Sequence, residues 1–130
     1  MSLPPASLAG VAHKVTQAQI ARYADATGDH NPLHLDPEFA ATTPFGRPVA
    51  HGMLVLAFAS ELLTHSFGRA WLCGGKLRAR FRSPVYPGDV VTASGTLTSQ
   101  DAGRATYRVV VQNQDGVDVI TADATVPLSS

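Results

Sequence analysis

Cysteine is almost missing from this chain: Cys73 is the only one in 130 residues. A single thiol excludes an internal disulfide framework and any multi-cysteine zinc site. It leaves Cys73 to be read as a small buried hydrophobe. Net charge is missing too. Ten Lys and Arg balance ten Asp and Glu, whereas nucleic-acid binders usually carry a basic excess. Long apolar runs are absent: the longest, Met53 to Ala59, is far short of the ~20 residues that span a bilayer. The start, Met1-Ser2-Leu3-Pro4-Pro5, lacks the basic stretch and apolar core of a secretory signal. These absences predict a soluble cytoplasmic protein with neither nucleic acid nor membrane as partner. Also absent are a Gly-rich phosphate loop, an H-E-x-x-H helix and a G-x-S-x-G elbow. His13, His30 and His65 show no spacing of a metal site, so no metal and no cofactor are expected.

What is present suits a packed globule. The chain is 45% hydrophobic and 15% charged, too apolar for disorder, and its length fits one domain over residues 1–130. Val11 to Val15 reads as a strand. Thr16-Gln17-Ala18-Gln19 fits a capping box, opening a helix that Gly28 stops. Residues 28–52 hold four of the nine prolines, which predicts a long ordered loop. A short helical turn is expected at Asp36-Pro37, an N-cap followed by proline at the first helical position. From Gly52 the chain is apolar nearly all round up to Leu63, so a helix ending at Gly68 should be buried on most sides. Trp71 to Phe81, Asp89 to Leu97, Ala105 to Gln112 and Val117 to Val126 read as four strands, the last three an antiparallel meander. One long helix wrapped by an antiparallel sheet of about five strands is an α+β fold. The alternative is a β-barrel with a helical appendage.

The chemistry concentrates in Gly28-Asp29-His30-Asn31-Pro32-Leu33-His34. A turn at Pro32 can fold Asp29 and His34 toward one point. Groups with reference pKa near ~3.9 and ~6.5 can share one water, one accepting a proton while the other returns one. The competing account is loop chemistry alone, with Asp29 capping a backbone amide and Asn31 forming an Asx turn. Gly52 opens the apolar helix, so its N–H is an orphan donor at the positive end of a helix dipole, suited to a developing oxyanion. Its alternative role is a tight entry into the helix. The neighbouring His51 reads as a packed or hydrogen-bonded histidine rather than a ligand.

Charge is also unevenly spread. Residues 69–108 carry seven basic against two acidic residues, a local +5. Lys76, Arg78, Arg80 and Arg82 alternate with Leu77, Ala79 and Phe81, which in a strand puts four cations on one face. That face is either simply solvated or a seat for phosphate. No aromatic interrupts it to stack a base, which ranks nucleic acid low.

The segment from Tyr23 to Asp36, containing Asp29-His30-Asn31-Pro32-Leu33-His34, resembles the signature of MaoC-like (R)-specific enoyl-CoA hydratases. The similarity continues through Phe39-Ala40-Ala41-Thr42-Thr43, Phe45-Gly46-Arg47-Pro48 and His51-Gly52-Met53-Leu54. It extends to Phe81-Arg82-Ser83-Pro84-Val85-Tyr86-Pro87-Gly88-Asp89. Residues 91–130 match only in strand pattern. The resemblance implies a hot-dog fold, a homodimer or higher oligomer, and acyl-CoA bound at the subunit interface, with CoA as part of the substrate and not a cofactor. It implies Asp29 and His34 as the catalytic pair and Gly52 N–H as the donor to the thioester carbonyl. Asn31 would order the loop, and Ser60 would lie near the floor of the active site. The basic Arg78, Arg80 and Arg82 are then candidates for the CoA phosphates. Alternative activities are a hot-dog acyl-CoA thioesterase, a dehydratase acting on 3-hydroxyacyl groups of acyl carrier protein, and a non-catalytic acyl-binding subunit.

Overall fold

The computed structural model describes residues 3–128. The elements run β1 (Ser7–Lys14), α1 (Gln17–Thr27), α2 (Pro32–Leu35), α3 (Pro37–Ala41), α4 (Gly52–Phe67), α5 (Arg69–Gly74), β2 (Lys76–Phe81), β3 (Val90–Asp101), β4 (Arg104–Gln112) and β5 (Asp118–Pro127). The five strands form one sheet in the order β1-β3-β4-β5-β2, every neighbouring pair antiparallel. The sheet curves over α4, and the two enclose the core: Val55, Phe58, Leu62 and Leu63 of the helix against Val91, Tyr107, Val109, Ile120 and Ala122 of the sheet. This is the hot-dog arrangement of the α+β class.

Local signals explain most boundaries. Thr16 caps α1, its Oγ1 accepting from Gln19 N–H at 3.1 Å, and Gly28 ends it in the left-handed region at φ 80°. Asp36 caps α3 with Pro37 at its first position. Gly68 ends α4.

Four expectations need correction. The strand expected over Trp71 to Phe81 is two elements. Gly68, at φ 55° and ψ −127°, turns the chain into α5, which buries Trp71. A Cβ on Gly75 would lie 2.0 Å from the Trp71 ring, so only glycine lets the chain pass that ring before β2 begins. Cys73 lies on this short helix and is exposed, not buried. The first strand starts at Ser7, before Val11, because Leu8 packs into the space left by Gly95, whose absent Cβ would lie 2.9 Å from Leu8 Cδ1. Finally, α4 is covered on one face only. Met53 is 60% exposed, Ala57 is exposed and Leu56 half-buried, because a single sheet covers one side of a helix.

Candidate active site

The site is assembled by the segment between α1 and α4. After Gly28, the loop Asp29–Asn31 reverses the chain into α2. Asp29 Oδ1 accepts from Asn31 N–H at 3.3 Å, and Asn31 Oδ1 accepts from Leu33 N–H at 2.9 Å, capping α2. The loop chemistry expected of these residues is thus present, and it sets the direction of α2. Gln17 of α1 ties down that helix by donating to the His34 carbonyl at 2.9 Å.

His34 projects from α2 toward the start of α4. Its Nδ1 lies 2.8 Å from the carbonyl of Val49. A carbonyl only accepts, so Nδ1 carries the proton and Nε2 is left with its lone pair. One ring face stacks on His51, centroids 3.8 Å apart and planes 26° apart. His51 is 2% exposed, and its Nε2 donates to the Asp29 backbone carbonyl at 3.0 Å. The result is a tight group in which Asp29, His34 and His51 bring a carboxylate oxygen and one ring nitrogen each within 4.8 Å of one another. Such a trio could ligate a metal by residue type. The exposed Asp29 carboxylate and the free imidazole nitrogen of His34, which lines a cavity, are close enough to share a water.

That cavity is about 360 Å³, and its walls include His34, Phe45, Gly52, Phe81, Arg82 and Ile120. Gly52 is the first residue of α4, so its N–H has no carbonyl within the helix to meet. The reason for glycine here is close approach: a Cβ would sit 3.0 Å from Phe81 Cε1. The Phe81 ring therefore lies over the helix N-terminus. On the rim, the Arg47 guanidinium sits 4.0 Å above the Tyr86 ring, and Tyr86 Oη donates to the Phe45 carbonyl at 3.2 Å. Outside the cavity, the hydrogen bond that His30 Nε2 donates to the Asp25 carboxylate raises the pKa of His30 above its ordinary 6.5; burial acts the other way, and the charges of Asp25 and Asp29 add to the rise.

Residues 6–118 match the MaoC-like domain family. The chain belongs to that family. It is 38% identical to an (R)-specific enoyl-CoA hydratase of Aeromonas caviae, over 98% of this chain and 96% of the relative. It is 36% identical to 3-hydroxyacyl-thioester dehydratase Z of Mycobacterium tuberculosis, over 75% of this chain and 68% of that one. The solved structure of an (R)-hydratase from A. caviae involved in PHA biosynthesis superimposes with a TM-score of 0.79 at 37% identity, covering 93% of each chain.

In this MaoC-like domain the remaining expected site residues are placed apart. Ser60 lies two turns along α4 from Gly52, and its Oγ accepts from Trp71 Nε1 at 3.2 Å. Lys76, Arg78 and Arg80 share the outer face of β2, alternating with the half-buried Leu77 and Ala79 as expected, and only Arg82 departs from it. Lys76 and Arg78 flank an outer groove with Asp123 and Thr125, and Arg80 is exposed. Arg82 follows the end of β2; it lines the His34 cavity, and its Nε donates to Thr121 Oγ1 at 3.0 Å. His51 is packed and hydrogen-bonded, as read from the sequence, but its carbonyl partner and the place of Phe81 were not foreseen. The available signal for His51 was its place immediately before the glycine that opens α4.

Proposed function

We propose that this chain catalyses the reversible syn hydration of trans-2-enoyl-CoA to (R)-3-hydroxyacyl-CoA. The convergence of the Asp29 carboxylate and the His34 imidazole within 4.8 Å, with His34 and Gly52 lining one cavity, carries this reading. The names of the A. caviae and M. tuberculosis relatives support it.

A trans-2-enoyl thioester lies with its carbonyl toward Gly52 N–H and its C3 toward the water shared by Asp29 and His34. One of the pair takes a proton as the water oxygen bonds to C3. The π electrons move to the thioester oxygen, where negative charge gathers against the helix N-terminus. The proton just taken is then delivered to C2 from the same face, and the carbonyl re-forms. Water loses one O–H bond and the substrate gains C3–O and C2–H, so the step balances without cofactor. Both groups arrive from the face on which Asp29 and His34 stand, which makes the addition syn, and the name of the A. caviae relative supports the R configuration. The Val49 carbonyl sets His34 to offer Nε2 to this water. The uncovered face of α4, with Met53 and Ala57 exposed, supports a homodimer. The exposed thiol of Cys73 suits a reducing cytoplasm.

The test is hydration of crotonyl-CoA and longer enoyl-CoAs, loss of the enoyl absorbance being followed and the product resolved chirally. R-3-hydroxyacyl-CoA from the wild type, with at least a hundredfold lower kcat in Asp29→Asn, is the expected outcome. An S product, or full activity in Asp29→Asn, would sink the mechanism. Release of free CoA would mark a thioesterase. A strong preference for acyl carrier protein over CoA would reassign the carrier.

A further inference from the structure

We infer that His51 is a positioning residue for hydration, one buried imidazole fixing both members of the Asp29/His34 pair. The inference rests on the reaction proposed above. Three contacts meet in this side chain. Its Nε2 donates to the backbone carbonyl of Asp29 at 3.0 Å. One ring face lies on His34 with centroids 3.8 Å apart. Tyr23 packs against it at 4.8 Å with planes tilted by 53°. Its own backbone is the N-cap of α4 and supplies no side-chain bond to the helix, so the imidazole is free for these contacts. The adjacent residue is Gly52.

The geometry explains why histidine stands here and not an apolar residue of the same size. Packing alone would be met by a ring with no polar atoms. A buried imidazole carries a cost instead, because Nδ1 has no hydrogen-bond partner among the described residues, and unpaired buried polar atoms are disfavoured. What offsets it is the bond from Nε2. Asp29 sits in an exposed loop, held otherwise by its amide to Thr27 Oγ1 at 3.3 Å and by the Asn31 contact. The His51 bond is the shortest of the three, and it comes from the rigid start of α4. The stack does the same for His34: Nδ1 is anchored to Val49, and the ring's remaining freedom, rotation about that anchor, is blocked by a flat neighbour. Catalysis by a shared water requires both groups within tenths of an ångström, and a displacement of 1 Å costs about a hundredfold in rate.

Three substitutions separate the contacts. His51→Gln keeps an N–H donor that can reach the Asp29 carbonyl. His51→Phe keeps the flat face and loses the donor. His51→Ala loses both. The purified variants are compared with wild type for kcat and KM on crotonyl-CoA, with folded fraction and Tm measured in parallel. The expected result is a kcat about a hundredfold lower in His51→Ala, KM within about threefold of wild type, and recovery in His51→Gln to within about tenfold. A role in packing alone would lower Tm and folded yield, leave kcat per folded molecule near wild type, and favour Phe over Gln. Wild-type kcat in His51→Ala, or His51→Gln no more active than His51→Phe, overturns the inference. Should His51→Ala fail to fold, the order of Gln and Phe decides alone. An inactive wild type would instead overturn the reaction itself, and the inference with it.

Discussion

His34 Nδ1 and the Val49 carbonyl, 2.8 Å apart, decide which nitrogen of the ring is free. The bond crosses from α2 to the strand-like approach to α4, so it anchors the loop and sets the tautomer together. These two roles separate in His34→Asn, whose amide nitrogen stands where Nδ1 does while nothing replaces Nε2. The expected outcome is a Tm within a few degrees of wild type and a kcat lower by 10²–10⁴, the usual contribution of one general acid or base. Calorimetry and steady-state hydration of crotonyl-CoA check the two halves.

Gly52→Ala introduces a methyl 3.0 Å from the Phe81 ring. Phe81 is 56% exposed, so the ring can swing away and stability should stay within ~1 kcal/mol, alanine being the better helix former. The displaced ring then narrows or opens the cavity beside His34. Hydration should fall roughly tenfold, on the scale set by sub-ångström misplacement. In Gly52→Ala/Phe81→Leu the clash is relieved and activity should return toward that of Phe81→Leu alone. Equal losses in both backgrounds would place the effect elsewhere.

Arg82 and Arg78 make a matched pair. Both are cationic and exposed, yet only Arg82 lines the cavity, with Arg78 on the outer groove. Arg82→Gln should raise KM for acyl-CoA roughly tenfold with kcat little changed, the scale of one lost charge-assisted hydrogen bond. Arg78→Gln should leave both constants unchanged. Equal effects would mean that phosphate contact is spread over the sheet.

His30 and Asp25, with Nε2 and Oδ1 2.9 Å apart, offer a pH-dependent check. The folded pKa of His30 is raised, chiefly by this bond, so the protonated form is the stabilised one. The stabilisation is complete below the ordinary value of 6.5 and is lost as pH rises through the higher folded value. Asp25→Asn should move the His30 midpoint down in an NMR titration. The alkaline stability of the two proteins should then be the same.

The reach of sequence reasoning varied with the range of the interactions involved. Thr16, Gly28, Asp36-Pro37 and Gly68 act on their own turn of chain, and the helix boundaries follow from them. The pairing of Asp29 with His34 was legible for the same reason, since five residues and one proline turn join them. Trp71 was misread because its burial depends on Ser60 and on the gap at Gly75. Apolar residues beside strand-like alternation carry no sign of such tertiary packing. The shared face of Lys76, Arg78 and Arg80 was legible from alternation, but the departure of Arg82 was not: β2 ends at Phe81, and Arg82 leaves the ladder to bond Thr121. His51 was legible as a packed histidine, but not its carbonyl partner 22 residues earlier.

The pairing of β2 with β5, in which Phe81 faces Ile120, has a chemical consequence. Side chains alternate between the two faces of a strand, so sliding β2 by one residue would turn Phe81 outward and bring a guanidinium over the start of α4. The first turn of α4 would then have a cation beside it in place of an aromatic ring, adding a positive centre next to the positive end of the helix. Strand registration at one edge of the sheet thus determines the polarity of the reaction chamber.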